Sequence, residues 1–66
     1  MEELWSGEVK ILGATSWEIQ CDHEGEIDMV PKIAIADESE IFDERHVDQI
    51  GTLVIPLSLA KEIGWA

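Results

Sequence analysis

The sequence predicts an α+β domain that is mainly β: a small antiparallel sheet or partly open barrel of four to five strands with one short C-terminal helix. Two observations support this fold class. Apolar and polar residues alternate over several short segments, as in half-buried strands. Near the C-terminus, Pro56 and Gly64 bracket a stretch with helical spacing. Residues 1–66 are short enough that we expect a single domain.

The first predicted strand runs from Leu4 to Leu12 and ends where Gly13, Ala14 and Thr15 interrupt the alternation. Its polar face carries serine, glutamate and lysine, which are expected to point to solvent. Its apolar face is expected to be buried and holds Trp5, Val9 and Ile11.

A β-hairpin is predicted next. Its first strand covers residues 16–22, and a three-residue loop at 23–25 uses Gly25 for a positive φ. The second strand runs from Glu26 to Val30. The inward side chains are expected to be Trp17, Ile19, Cys21, Ile27 and Met29. This register places three outward pairs opposite each other: Asp22 with Glu26, Gln20 with Asp28, and Glu18 with Val30.

The segment after Pro31 has a weaker pattern. Residues 32–36 are predicted as a short strand or as a turn that places Ile33 and Ile35 in the core. Residues 37–48 are predicted as a long acidic loop with one short strand or helical turn. Three apolar residues are expected to anchor this loop: Ile41, Phe42 and Val47.

The C-terminal part returns to clear patterns. Residues 51–55 predict a strand with Leu53 and Ile55 on one face. A helix is expected from Leu57 to Ile63, with Pro56 in its first turn and Gly64 as its C-terminal cap.

Charge is the strongest functional signal in the chain. Fifteen acidic residues against four basic ones give a formal net charge of −11. Such a surface disfavours direct binding to nucleic acid or to anionic lipid, because phosphates require lysine and arginine. A hydrophobic content of 45% separates the chain from disordered acidic segments. The expected partner is therefore a basic protein, one whose own ligand is nucleic acid.

The carboxylates are concentrated in the middle of the chain. Eleven of the fifteen lie between Glu18 and Asp48, where Lys32 and Arg45 are the basic residues. One interpretation is a surface that imitates nucleic acid, and the other is a solvated face that confers solubility. The candidate partner-binding residues are Glu18, Asp22, Glu24, Glu26, Asp28, Asp37, Glu38, Glu40, Asp43 and Glu44.

Catalytic, metal and cofactor sites are not expected. The acidic run 37–40 does not begin an EF-hand loop, because the chain lacks the glycine required at the sixth loop position and the glutamate required at the twelfth. Cys21, His23 and His46 do not complete a zinc ligand set, and a Cys21–His23 nucleophile lacks an orienting third group. The single cysteine excludes an internal disulfide and fits a reducing cytosol. No signal peptide or membrane span is predicted, so we expect a cytoplasmic protein. We also expect a monomer, although the sequence leaves dimerisation open.

The three tryptophans receive different predictions. Trp5 and Trp17 are expected in the core. Trp65 is expected either to pack the helix against the sheet or to offer an exposed anchor. The second possibility supports an alternative function, a small accessory interaction module of a mobile element that binds through its C-terminal helix and Trp65.

Several short runs resemble a small domain common on phages and mobile elements. The likeness covers most of the chain and concerns structural positions, so it implies a fold and no active site. Members carry an aromatic residue before the Pro-Lys step, and Met29-Val30 departs from that pattern. The runs are 13–15, 30–32, 37–41, 51–56 and 60–64.

In size, acidity and single-domain build the chain is also similar to anti-CRISPR proteins, in particular the short acidic inhibitors of type I surveillance complexes. That resemblance implies a phage-encoded protein that works in the cytoplasm of a bacterial host. It implies blockade of target-DNA binding, with the inhibitor filling the basic cleft where the duplex is first engaged.

Overall fold

A computed structural model describes residues 2–66. Four strands form one antiparallel sheet in the order β3-β2-β1-β4, followed by one short helix, so the predicted mainly-β class is confirmed with four strands. Two 3-10 turns, Lys32–Ala34 and Glu44–His46, lie in the long connection before β4. The elements are β1 (Leu4–Ala14), β2 (Glu18–His23), β3 (Glu26–Pro31), β4 (Ile50–Pro56) and α1 (Leu57–Glu62).

One face of the sheet is buried. Helix α1 and side chains from the connection between β3 and β4 cover it, among them buried Ile41 and partly buried Ile35 and Val47. The predicted inward positions of β1 and β4 are confirmed. The core residues of the four strands are Val9, Ile11, Ile19, Cys21, Val30, Leu53 and Ile55.

Strand β1 continues two residues beyond the predicted end, because a β-bulge at Leu12 accommodates the break in the alternation of apolar and polar residues. The β1–β2 pairing shifts register between Ile11 and Gly13 and continues to Ala14, which lies opposite Ile19. A bulge adds one residue to one strand and bends it, so pairing can continue past the glycine.

The free edge of β4 is covered by residues 36–40, although they form no regular strand. Their backbone donates to β4 twice, from Ala36 to Val54 and from Glu40 to Thr52, each at 2.8 Å. Buried Ser39 completes the arrangement through its hydroxyl. Its Oγ accepts from Val54 N at 2.8 Å and donates to Val54 O at 3.2 Å. Covering this edge removes a template for pairing with another chain.

The segment 32–36 contains a 3-10 turn at Lys32–Ala34 and no strand, so the alternative prediction of a short strand is wrong. Ile35 packs against the core as predicted, whereas Ile33 is 95% exposed and does not plug it. The predicted helical turn within residues 37–48 is present at Glu44–His46. Phe42 is exposed and is a weaker anchor than Ile41.

Helix α1 begins at Leu57, so Pro56 precedes it and lies in β4 instead of the first helical turn. Its C-terminal cap is Gly64 at φ +85°, as predicted. Gly64 N donates to Lys61 O and Trp65 N donates to Ala60 O, which is the Schellman pattern. This cap directs Trp65 onto the core, where 8% of its surface remains exposed. Trp65 therefore packs the helix against the sheet.

Candidate acidic binding surface

The hairpin between β2 and β3 has a two-residue turn, Glu24–Gly25, so the predicted three-residue loop is wrong. Both turn residues have positive φ, 52° and 88°, as a type I′ turn requires. His23 consequently lies opposite Glu26, and Asp22 lies opposite Ile27. Glycine or asparagine is usual at the first of these positions, and the glutamate there hid the turn from sequence analysis.

This register moves the hairpin carboxylates to different faces. The predicted clash between Asp22 and Glu26 does not occur, because directly opposed residues share a face. Glu18 and Asp22 lie on the outer face. Glu26 and Asp28 lie on the side of Cys21 and His23, with Asp28 directly opposite Cys21. The predicted inward positions of Ile27 and Met29 are also wrong, since Ile27 is 54% exposed and Met29 lies opposite Gln20 on the outer face.

Three carboxylates nevertheless gather at the hairpin tip. Asp22 Oδ1 accepts from Gly25 N at 2.9 Å and stabilises the turn. Glu24 stands at the turn itself, with its Oε2 at 3.7 Å from His23 Nε2. Glu26 is exposed and makes no side-chain hydrogen bond or ion pair within residues 2–66. We call Asp22, Glu24 and Glu26 the hairpin tip acids.

A histidine within the aromatic cluster supports the hairpin tip. His23 Nδ1 lies 2.9 Å from Glu8 O, which ties the end of β2 to β1. The His23 ring packs edge-on against Trp5, with 5.0 Å between ring centroids, and lies 5.5 Å from the Trp65 ring. The tip is therefore attached to the core and holds its carboxylates on a rigid base.

The acidic loop divides into structural and free carboxylates. Glu40 Oε1 accepts from Thr52 N at 2.8 Å, and this backbone hydrogen bond lowers the pKa of Glu40. The hydrogen bond from Arg45 lowers the pKa of Asp43, and the hydrogen bond from Lys32 lowers the pKa of Glu44. Asp37 and Glu38 are exposed and accept no hydrogen bond in the described part of the chain.

Two of the four basic residues form ion pairs with acids inside the fold. Lys32 Nζ lies 2.6 Å from Glu44 Oε2, and Arg45 is bound to Asp43 at 2.9 Å. Lys10 lies directly across from Asp22 on the outer face. Among the candidate acids, four make no ion pair or side-chain hydrogen bond within residues 2–66: Glu18, Glu26, Asp37 and Glu38.

The two groups of acids lie at opposite edges of the sheet. Glu40 is bonded to Thr52, which lies opposite Glu8 of β1. His23 Nδ1 contacts Glu8 O, so the hairpin tip lies at the same level along β1 as Glu40 does. Strand β2 and the backbone of residues 36–40, which cover the free edge of β4, are three strand spacings apart, or roughly 14 Å. The arrangement is two acidic rims with Glu8 between them.

The prediction that Trp17 is a core residue is wrong. Its side chain is 78% exposed, because β2 begins at Glu18 and the preceding residues form a turn. Thr15 Oγ1 accepts from Trp17 N and from Glu18 N, which ends the strand pattern. The Thr15-Ser16 pair was the sequence signal for this turn. Trp5 does pack against the core as predicted.

No metal site or reactive thiol emerges. Among residues 2–66, no group of three or more His, Cys, Asp or Glu side chains is placed to hold a metal ion. Cys21 is fully buried, and burial raises the pKa of its thiol to about 12. It therefore stays protonated and acts as a small apolar core residue.

Comparisons with known proteins yield no relative. No protein-family model matches the chain, and no curated protein or solved structure matches it either. Within the described residues, no helix has the length and apolar character needed to cross a membrane.

Proposed function

We propose that this protein is a non-enzymatic inhibitor whose acidic surface takes the place of nucleic acid on a basic host protein. The expected target is a CRISPR surveillance complex in the bacterial cytoplasm, and the inhibitor acts by blocking DNA binding. The chain itself binds neither DNA nor membrane, needs no cofactor, and acts as a monomer.

The observation that carries the proposal is the backbone of Glu24. Its φ of 52° lies in the left-handed region, which costs a non-glycine residue roughly 1–2 kcal/mol. Asparagine or glycine would form the same turn with less strain. Strained residues cluster at functional sites, where the side chain has a use that offsets the cost. A carboxylate held at the tip of a hairpin is well placed to enter a basic cleft.

The arrangement of the remaining acids supports the same function. The backbone of β2, which carries Asp22, and that of residues 37–40 are roughly 14 Å apart, comparable with the ~12 Å width of the major groove of B-DNA. Arginine and lysine side chains that hold phosphates would find carboxylates at a similar separation. Such complementarity accelerates association and selects the partner.

The acids suited to a charge-reversal test are those without structural roles. Asp22 and Asp28 accept backbone hydrogen bonds from Gly25 and Met29, so their replacement would disturb the fold as well as the charge. Glu24 and Glu26 avoid this problem. The test variant is E24K/E26K, and the matched control is E3K/E62K, which makes the same charge change at two exposed positions away from the hairpin.

The experiment measures whether purified protein prevents a type I surveillance complex from shifting a labelled DNA target on a gel. The proposal expects inhibition by the wild type and by E3K/E62K, and at least about a tenfold weaker effect for E24K/E26K. Equal inhibition by both variants would rule out the hairpin tip as the contact. If the wild type inhibits DNA binding by none of a panel of such complexes, type I surveillance complexes are excluded as the target.

A further inference from the structure

The end of the sheet opposite the hairpin tip exposes two large apolar side chains. Trp17 is 78% exposed and Ile33 is 95% exposed. Their backbones are adjacent, because Lys32 N donates to Trp17 O at 2.8 Å. A domain of 66 residues has little core, so leaving its largest type of apolar side chain in water forfeits stabilising burial.

Both side chains stand on ordered backbone. Thr15 Oγ1 accepts from Trp17 N at 3.2 Å and from Glu18 N at 3.1 Å, while Thr15 N donates to Glu18 O at 2.8 Å. Ile33 lies in a 3-10 turn closed by the bond from Ile35 N to Lys32 O. A fixed backbone lowers the entropy lost on binding, which is the condition for an interface anchor.

The surroundings of these side chains are acidic. Glu18 follows Trp17 directly and makes no side-chain ion pair within residues 2–66. Glu44 lines a groove of about 330 Å³ with Ala14, Thr15 and Ser16, next to the Trp17 turn. The neighbouring Lys32 is neutralised by Glu44. A second copy of this chain, also carrying −11, would be repelled from this surface.

We propose that Trp17 and Ile33 anchor a basic polypeptide segment that carries apolar side chains between its arginines or lysines. The apolar side chains pack on the tryptophan ring and the isoleucine, and the flanking cations face Glu18, which has no ion pair of its own within residues 2–66. This inference rests on the proposed function, because it gives the same basic partner a second contact. The anchor lies roughly 20 Å from the hairpin tip, the length of a six-residue strand.

The test uses two synthetic basic peptides of equal charge. The first has leucines at its centre between arginines, and the second has serines in place of the leucines. Binding is followed by titration calorimetry and by tryptophan emission at low and high salt, with W17A giving the emission of Trp5 and Trp65 alone. The proposal expects the leucine peptide to bind at least about tenfold more tightly, with a blue-shifted emission and a difference that survives high salt.

Variants then locate the binding energy. W17A and I33S should each abolish the advantage of the leucine peptide, whereas I27S, at an exposed apolar position on β3, should preserve it. Because all three side chains are exposed, the variants are expected to fold, which circular dichroism verifies. Equal affinity for the two peptides, absence of binding, or an unchanged W17A would each overturn the anchor. Dimerisation that depends on Trp17, seen by sedimentation, would overturn it too.

The two proposals fail separately. If the leucine peptide keeps its advantage and E24K/E26K inhibits DNA binding as well as the wild type does, the anchor stands and the hairpin tip does not. If the peptides bind equally and E24K/E26K loses the inhibition, the acidic surface stands and the anchor does not.

Discussion

Ser39 and Val54 exchange two hydrogen bonds through a single hydroxyl, which accepts from Val54 N at 2.8 Å and donates to Val54 O at 3.2 Å. Both residues are buried, so removal of the hydroxyl would leave Val54 N without a partner, whereas Val54 O would keep its hydrogen bond from Ala36 N. Ser39→Ala should therefore lower the free energy of unfolding by about 1–3 kcal/mol. Urea denaturation measures the change. Ser58→Ala removes an exposed serine bonded to Glu2 and should change stability by less than about 0.5 kcal/mol.

Gly7 gives the Trp5 ring its place on β1. A Cβ at residue 7 would lie 2.6 Å from two atoms of that ring and 3.3 Å from the His23 ring. Gly7→Ala should displace Trp5, destabilise the domain by about 1–3 kcal/mol, and weaken the near-ultraviolet circular dichroism of the aromatic cluster. Gly13→Ala is the control on the same strand, because its Cβ would meet one atom at 3.8 Å. Equal losses in the two variants would refute this role for Gly7.

Cys21 should be inert in the folded protein. Its thiol is buried and its pKa is raised to about 12, so almost no thiolate is present at pH 8. A thiol reagent such as Ellman's should react slowly in buffer and rapidly in urea. Gln20→Cys, made in a Cys21→Ser background, places a thiol at the exposed neighbouring position and should react at once. Rapid labelling of native wild type would contradict the buried position.

Glu40 should make stability depend on pH. The hydrogen bond from Thr52 lowers its pKa in the folded state below the ordinary 4.5. Its contribution is therefore fully present above pH ~4.5 and is lost as the pH falls through the lowered folded value. Glu40→Ala should be less stable than wild type at pH 7, and the difference should shrink in acid. Glu38→Ala, which removes an exposed carboxylate without a hydrogen bond, should differ little from wild type at pH 7.

Periodicity was sufficient to predict the strands that have one buried face. The alternation of Val9 and Ile11 and the pair Leu53 and Ile55 placed β1 and β4 correctly, because a buried face imposes period two. The helix was predicted by Gly64, whose left-handed conformation favours glycine.

Other features depend on contacts that leave no periodic trace. The hairpin register depends on Glu24 adopting a left-handed conformation, where sequence rules expect asparagine or glycine. The predicted loop was therefore one residue too long, and this error exchanged the faces of Ile27 and Asp28. The free edge of β4 is bonded by the Ser39 hydroxyl and the Glu40 carboxylate. These side-chain hydrogen bonds take the place of the backbone hydrogen bonds that a neighbouring strand would make. Of the ten candidate acids, six therefore make a side-chain hydrogen bond or ion pair within residues 2–66. The faces of the other four could be assigned only once the strand register was known.

The central claim is that a basic partner holds this protein where it would hold nucleic acid. In the direct measurement, wild type, E24K/E26K and E3K/E62K are each immobilised and exposed to a bacterial lysate. Proteins bound to each are then eluted with duplex DNA. We predict that wild type and E3K/E62K retain a DNA-binding protein, that duplex DNA releases it, and that E24K/E26K fails to retain it. A partner that duplex DNA does not displace, or that E24K/E26K binds as well as wild type does, would contradict the account.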